Sequence, residues 1–322
     1  MKSLRQPLLI ALSASGLLFS QAHATDKITV GEPSWPGAKI IANVIQVVAS
    51  EKLGAEVGLA PGANAAIYAG MDKGRGDIDV HPDVWLPNQQ SFTDKYVEEN
   101  GTVNLSEGSY EGVSGFCMPT YMKTEHGISS IYDLATPEAQ KLFDLNNDGK
   151  GEIWVGAPGW GSTKINQVKV RDYGIEDFLE PTTEDEAVFY AKISAAIKKR
   201  QGVVFYCYNP HYVHKLYDVT MVEEPENNPD TYRMVQPDQD SEWFAKSHIS
   251  SGDAKKTVRV AYSKSLEQRA PEVANFLKNI DLDNQAISAM THAVVIEKQA
   301  PADVAKAWVD ANTATVDKWL GL

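Results

Sequence analysis

The chain has 322 residues and is acidic, with 43 Asp and Glu side chains against 30 Lys and Arg and a formal net charge of −13 at pH 7. A surface of this sign repels phosphate backbones, so the charge excludes nucleic acid as an expected partner. The length suffices for two domains of ordinary size, each with its own hydrophobic core.

The N-terminus has the three parts of a secretory signal peptide. Lys2 and Arg5 precede an apolar run, and the small residues Ala22 and Ala24 mark a cleavage site directly after Ala24. The apolar run is shorter than the roughly 20 residues that cross a bilayer, and no later segment reaches that length. The sequence therefore predicts a signal peptide at residues 1–24 and a mature protein that diffuses freely in the periplasm.

One pattern recurs along the chain: a short β-type run, a turn rich in Gly and Pro, and an amphipathic helix. The runs are KITVGEPSWPG, AEVGLAPG, EIWVGAPGWGS and VVFYCYNP, and the helices after them are predicted at 38–53, 64–73, 163–173 and 211–217. In the first helix Ile41, Val44, Ile45 and Val48 recur at helical spacing, which predicts a buried face. The alternation predicts an α/β fold with parallel sheets and helices on both faces, in which ligands bind beyond the carboxyl ends of the strands.

Four aromatic residues occupy the turns at those strand ends. Trp35, Trp85, Trp160 and Tyr208 lie in PSWPG, DVWLP, PGWGS and CYNPH. A single ring of this kind most often packs a loop against the body of the protein, but four at equivalent ends of different units are expected to converge. Converging ring faces attract a cation that makes no ordinary hydrogen bonds, such as a trimethylammonium group. Sugars also stack on Trp, but they usually need more carboxylates and amides than these turns supply.

The two cysteines, Cys117 and Cys207, each lie in a short strand-like run. An exported protein enters an oxidising compartment, where the two could form a disulfide. Two buried, unpaired small apolar side chains are an equally good interpretation.

Several segments resemble the periplasmic glycine betaine/proline betaine binding proteins of ABC importers. These are KLFDLNNDGKGEIWVGAPGWGSTKINQ, VVFYCYNPHYV and DIDVHPDVWLPN, and the resemblance covers most of the mature chain in order. It implies a type II periplasmic-binding-protein fold with two α/β lobes joined by a hinge. The lobes are expected at 25–111 plus 251–322 and at 112–250. The resemblance also implies a monomer that delivers its solute to a membrane permease.

The aromatic box of that family falls on Trp85, Trp160 and Tyr208, with Trp35 as a possible fourth wall. Tyr208 replaces a Trp of the relatives, and Gln89 replaces a His that helps to hold the betaine carboxylate. The backbone N–H groups of Gly161 and Ser162 begin a helix and are candidate carboxylate donors. For a ligand without a carboxylate, Glu32 or Glu111 is a candidate polar contact. Glycine betaine is the first choice of ligand, and choline, trimethylamine N-oxide, carnitine and a sulfonium analogue are alternatives.

The segment from Asp144 resembles the beginning of a calcium-binding loop. Its candidate ligands are Asp144, Asn146, Asp148, Lys150 and Glu152. The twelfth position, normally a bidentate Glu, is Val155. A structural calcium site and an Asx-rich turn without an ion are both open interpretations, and no cofactor is expected for function.

Two rival functions were weighed against solute binding. A periplasmic enzyme would need an acid, a base or a redox centre among the aromatic turns, and no GxSxG, HExxH or phosphate-binding loop is present. Cys207 with His211 lacks an orienting acid, and His211 with His214 is expected to be a surface pair. A binding protein for amino acids or sugars would carry an Arg or Asp at the turns, and the nearest basic candidate, Arg171, lies well along a helix.

Overall fold

The structure is a computed structural model that describes residues 27–322, and the signal peptide predicted at 1–24 lies outside the described residues. The strands of this region are β1 (Ile28–Glu32), β2 (Val57–Pro61), β3 (Val80–Leu86), β4 (Val103–Leu105), β5 (Tyr110–Pro119), β6 (Gly151–Trp154), β7 (Leu179–Thr182), β8 (Val204–Asn209), β9 (Val219–Met221), β10 (Tyr232–Arg233), β11 (His248–Ile249) and β12 (Lys256–Ser263).

The α-helices alternate with these strands in the first two thirds of the chain and follow one another at its end. They are α1 (Pro36–Leu53), α2 (Asn64–Lys73), α3 (Gln90–Thr93), α4 (Thr120–His126), α5 (Pro137–Leu142), α6 (Gly161–Asp172), α7 (Glu186–Lys198), α8 (Val213–Leu216), α9 (Trp243–Lys246), α10 (Leu266–Arg269), α11 (Pro271–Asn279), α12 (Asn284–Val295), α13 (Pro301–Ala311) and α14 (Thr313–Leu320). The helices predicted from the sequence coincide with α1, α2, α6 and α8 to within two residues at most ends.

The first helix shows how the sequence pattern becomes structure. Pro36 begins α1, where a missing N–H costs nothing, and Gly54 ends it with a φ of 68°. Ile41, Val44, Ile45 and Val48, the face predicted to be buried, are at most 1% exposed. They pack in a core with β1, β12 and the C-terminal helices, so the end of the chain completes the first lobe.

The sheet is mixed, not wholly parallel as the sequence pattern suggests. The pairs β1–β2, β1–β3, β6–β7 and β6–β8 are parallel, whereas β12 pairs antiparallel with β3 and β5, and β5 pairs antiparallel with β8. Each of these antiparallel pairs includes β5 or β12, the strands at which the chain passes between the two halves. The α/β class is confirmed.

Strand β5 joins the two lobes. Its residues Tyr110–Gly112 pair with β12 of the first lobe, and from Val113 onward it pairs with β8 of the second. The chain returns to the first lobe between β11 and β12. The first lobe therefore has the strand order β2-β1-β3-β12-β5, and the second continues as β5-β8-β6-β7.

A disulfide joins β5 to β8 within the second lobe. Cys117 and Cys207 are bonded, with their Cα atoms 5.7 Å apart. Both residues are fully buried, but they are paired, so the disulfide interpretation is confirmed and the interpretation of two unpaired cysteines is wrong.

Candidate functional site

A small cavity of about 40 Å³ lies between the lobes. Its walls come from both lobes and combine aromatic rings with side-chain amides and one serine. The lining residues are Trp35, Asn64, Trp85, Asn88, Gln89, Trp160, Gly161, Ser162, Tyr206 and Tyr208. Seven of the nine ligand-binding residues predicted from the sequence are in this set.

The elements that carry the rings explain why they meet. Trp35 follows β1 and directly precedes α1, and Trp85 lies near the end of β3. Trp160 directly precedes α6, and Tyr208 lies near the end of β8. Because β1 and β3 are parallel in one lobe and β6 and β8 are parallel in the other, each lobe presents one carboxyl edge to the cleft.

The four rings meet edge to face. Trp85 and Tyr208 have centroids 5.4 Å apart at 80°, and Trp160 and Tyr208 have centroids 6.0 Å apart at 80°. Trp35 and Trp160 have centroids 5.9 Å apart at 81°. Trp160 and Tyr208 both belong to the second lobe, whereas the other two contacts each join a ring of the first lobe to a ring of the second. Rings at right angles to one another form the walls of a box, which we call the cage.

The two indoles of the first lobe share one acceptor. The N–H groups of Trp35 and Trp85 both donate to Oδ2 of Asp83, and the hydroxyl of Tyr110 donates to Oδ1. Asp83 is 0% exposed. Burial raises its pKa, and hydrogen bonds from the three donors oppose that rise. This carboxylate fixes both rings by their polar edges.

The rings of the second lobe are also held by their polar edges. The Tyr208 hydroxyl donates to Glu186 at 2.9 Å, and Trp160 Nε1 donates to Ser34 Oγ of the first lobe at 3.0 Å. His211, predicted to be at the surface, is only 2% exposed, and its Nε2 lies 3.0 Å from Glu186 Oε1. The surface-pair prediction is therefore wrong for His211, because the turn after β8 folds this ring beneath Tyr208, at 4.7 Å between centroids.

One end of the cavity is polar. Gly161 and Ser162 are the first residues of α6, and no side chain caps this helix end. Unpaired N–H groups and the helix dipole make such an end attractive to a carboxylate. Gln89 is 3% exposed, and its Nε2 donates to the Asp83 carbonyl at 3.4 Å, while its Oε1 accepts no hydrogen bond from the described residues.

The two glutamates predicted as polar contacts do not line the cavity. Glu32 ends β1 and lines a separate cleft outside Trp35 and Trp160. Glu111 lies in β5, where it points away from the side on which Tyr110 reaches Asp83. Its side chain is 77% exposed, with Oε2 3.8 Å from the ammonium of Lys255.

A buried ion cluster lies behind the cavity where the chain crosses between the lobes. Lys169 Nζ lies 2.8 Å from Glu224 and 2.9 Å from Asp253, and Lys256 Nζ lies 2.9 Å from Asp253. Lys256 also donates to the side chain of Asn88, a cavity residue, at 2.8 Å. Burial alone would raise the pKa of Asp253, but the two ammonium groups outweigh it and hold the pKa far below its usual range.

The acidic loop, residues 144–152, uses its side-chain oxygens on its own backbone. Asp144 accepts from the N–H groups of residues 148 and 149, Asn146 accepts from Asp148 N, and Glu152 accepts from Leu145 N. Asp148 accepts from the N–H of Lys150 at 2.9 Å. These bonds fit an Asx-rich turn. In the part of the chain that the structure describes, no group of three or more His, Cys, Asp and Glu is arranged to hold a metal ion.

Sequence reasoning missed Asn64, Asn88, Tyr206 and the acceptor Asp83. Two of them carried a usable signal, because Asp83 precedes Trp85 by two residues and Tyr206 precedes Tyr208 by two. Side chains two apart in a strand share a face, so each lies on the same side as its cage ring. The two asparagines follow no such rule, because Asn64 begins α2 and Asn88 lies after the end of β3, so neither shares a strand face with a cage ring.

The family described as the substrate-binding domain of ABC-type glycine betaine transport systems (OpuAC) matches residues 26–311. The glycine betaine-binding periplasmic protein OusX of Dickeya dadantii (strain 3937) is 21% identical over 213 residues. That alignment covers 64% of this chain and 63% of the relative, so the match spans slightly less than two thirds of the relative's length.

Two solved structures share the fold. The glycine betaine/L-proline-binding protein ProX from Borrelia burgdorferi superposes with a TM-score of 0.72 at 19% identity, covering 91% of this chain and 96% of that one. A choline-binding protein of an ABC transporter, in complex with choline, superposes with a TM-score of 0.70 at 18% identity, covering 92% of this chain and 91% of that one. The two-lobe binding-protein fold predicted from the sequence is confirmed.

Proposed function

The chain belongs to the OpuAC family of substrate-binding domains of ABC-type glycine betaine transport systems, and from this premise we propose that it captures a quaternary ammonium solute in the cage. The observation that carries the proposal is the set of four rings from both lobes around one cavity, each held by its polar edge. The faces of such rings carry negative quadrupole charge, which attracts a cation bound among them.

The cage accounts for useful affinity without any charged contact. Each ring contributes on the order of 0.5 to 2 kcal/mol to binding a cation, and micromolar affinity needs about 8 kcal/mol. Four rings reach that value only at the upper end of the range, so hydrogen bonds at the polar end are needed to offset the costs of ordering. Because rings of both lobes would contact the same ligand, the bound solute would stabilise the closed arrangement of the lobes.

Glycine betaine is the first choice of ligand. Its trimethylammonium group fits the cage, and its carboxylate would lie at the N-terminus of α6, against the N–H groups of Gly161 and Ser162. The names of the relatives support this choice, since OusX is a glycine betaine-binding protein.

Choline is the second candidate because one buried acceptor of the cavity wall lacks a hydrogen-bond donor within residues 27–322. Gln89 Oε1 is a buried acceptor with no partner among the described residues, and a ligand hydroxyl would satisfy it. A structural neighbour is a choline-binding protein. Trimethylamine N-oxide, carnitine and a sulfonium analogue share the methylated cation and are further candidates.

Calorimetric titration of the purified protein tests the proposal directly. We expect glycine betaine to bind with a dissociation constant in the micromolar range or below, and choline to bind more weakly. Tighter binding of choline would reverse the order of the two candidates. The proposal would be refuted if none of glycine betaine, choline, trimethylamine N-oxide and carnitine gave a binding signal.

We also propose the setting in which the protein works. The predicted signal peptide would deliver it to the periplasm, where it would act as a monomer that hands its solute to the permease of an ABC transporter. Among residues 27–322 no helix is both long and apolar enough to cross a membrane. The family is one of transport proteins, so turnover of the bound solute is not expected, and product analysis after prolonged incubation tests for it.

A further inference from the structure

Asp83 is a buried carboxylate whose described contacts are all neutral. It is 0% exposed, and its three hydrogen-bond donors are two indoles and one phenol. Within residues 27–322, its pKa is shifted by burial and by these three donors, none of which is a basic side chain. Buried carboxylates in proteins are normally paired with a cation, because removing an unpaired charge from water is costly.

The groups around Asp83 leave its negative charge uncompensated. His81, on the same strand, is fully buried, and burial lowers its pKa to about 3, so it stays neutral above that pH. From β5 the Tyr110 hydroxyl contacts the carboxylate, as a hydrogen-bond donor. From α1 the carboxylate faces the start of the helix, since a Cβ at Gly37 would lie 3.5 Å from Asp83 Oδ2. A helix N-terminus offers partial positive charge, which reduces the cost of burial but does not balance a full charge.

The position of the carboxylate allows it to act on the ligand electrostatically through the two indole rings. It accepts from the indole N–H groups of Trp35 and Trp85, and both of these residues line the cavity. A carboxylate that accepts from an indole N–H polarises the ring and raises the electron density of its face, which strengthens attraction to a cation. Its own charge also acts across the ring in a medium of low dielectric constant.

We propose that Asp83 is the counter-charge of the cage, a residue that determines specificity for cations without touching the ligand. This inference rests on the proposed function, and it extends it by assigning the preference for positive charge to one residue outside the cavity lining. The rings would supply shape and apolar contact, and Asp83 would make the site select a quaternary nitrogen over an uncharged group of the same shape.

The test compares two ligands that differ only in charge. Glycine betaine and 3,3-dimethylbutanoate have the same shape, with a quaternary nitrogen in one and a quaternary carbon in the other, and choline and 3,3-dimethylbutan-1-ol form a second pair. We expect Asp83→Asn to lower the ratio of affinities, the ligand with the quaternary nitrogen over its quaternary-carbon analogue, by about tenfold or more at neutral pH. An unchanged ratio would overturn the inference, whereas a loss of affinity shared equally by both ligands would show a structural role and overturn it too.

Asp79→Asn is the matched control. Asp79 lies just before β3 and is also 0% exposed, but it pairs with Arg269 and lines no part of the cavity. We expect this variant to lose stability while keeping the wild-type ratio. An equal fall in the ratio in Asp79→Asn would overturn the inference. If the wild-type protein binds neither cation, it is the proposed function that fails.

A second measurement decides the matter if Asp83→Asn does not fold. Tyr110→Phe removes one hydrogen bond that favours the ionised carboxylate, so the pKa of Asp83, already raised by burial, rises further. Cation affinity is highest when Asp83 is ionised and falls as the pH falls through its pKa. We therefore expect glycine betaine affinity to decline at a higher pH in Tyr110→Phe than in the wild type, and coincident pH profiles would overturn the inference.

Discussion

Gly161 is a position where one added methyl group should separate solute capture from folding. A Cβ at Gly161 would lie 2.5 Å from the backbone carbonyl oxygen of Asn88, which belongs to the opposite lobe. A backbone carbonyl cannot turn aside as a flexible side chain can, so the lobes must separate at this contact. Within its own lobe Gly161 begins α6 and has no positive φ, so alanine suits the local backbone.

The size of the effect follows from the overlap. Restoring an ordinary contact requires a movement of about 1 Å, and forcing one extra methyl group into a packed site costs about 1 to 3 kcal/mol. Gly161→Ala should therefore weaken glycine betaine binding by about 5- to 150-fold. The ligand-free protein should melt at or slightly above the wild-type temperature, because the open arrangement does not make the contact.

Calorimetry for affinity and thermal denaturation without ligand together test this reasoning. Gly58→Ala is the control, since a Cβ at Gly58 in β2 meets only the Lys27 side chain, at 3.5 Å. Its affinity should match the wild type. Affinity of Gly161→Ala within about twofold of the wild type would refute the idea that the lobes close on this contact.

Four further expectations concern the cage, the buried ions, the disulfide and the acidic loop. Trp85→Ala should weaken solute binding by about tenfold or more in calorimetry while circular dichroism stays native. Lys169→Met leaves two buried carboxylates with one ammonium group and should lower the free energy of unfolding by about 3 to 5 kcal/mol in urea, whereas Lys306→Met, at an exposed pair, should cost less than about 1 kcal/mol. Replacing Cys117 and Cys207 together by alanine opens a loop of 90 residues and should cost about 4 to 5 kcal/mol in the same assay; a loss below 1 kcal/mol would contradict the loop-entropy argument. Chelation by EDTA should leave the melting temperature within about 1 °C, because the acidic loop satisfies its own oxygens; a larger fall would establish a structural calcium ion.

Much of the site could be predicted because the fold class determines where strands end. The rings at Trp35, Trp85, Trp160 and Tyr208 follow β-type runs, and an alternating α/β chain brings those ends to one cleft. The local pattern needed no knowledge of long-range contacts. For the same reason α1 was predicted nearly to the residue, since its apolar spacing and its terminal Pro and Gly are local signals.

The remainder depended on contacts that local pattern does not encode. The antiparallel pairing of β12 with β3 joins segments about 170 residues apart, and no periodicity in either strand indicates its partner. The pairing of Cys117 with Cys207 follows from the antiparallel pairing of β5 with β8 and not from spacing. Glu111 was placed at the cleft because it lies near a turn, but strand alternation directs it to solvent while Tyr110 reaches inward. His211 was expected outside because polar helix residues usually are, and Glu186 provides the buried partner that reverses this expectation.

The cage also gives the protein an optical reporter of its own. Three of its seven tryptophans, Trp35, Trp85 and Trp160, line the cavity, so an arriving solute changes the surroundings of a large share of the indole fluorophores. The Trp160 N–H donates to Ser34 across the cleft, which makes the emission of that indole sensitive to opening and closing. Stopped-flow fluorescence could therefore follow solute arrival and lobe movement in the unlabelled protein, and single Trp→Phe variants at these three positions would assign each phase to its ring.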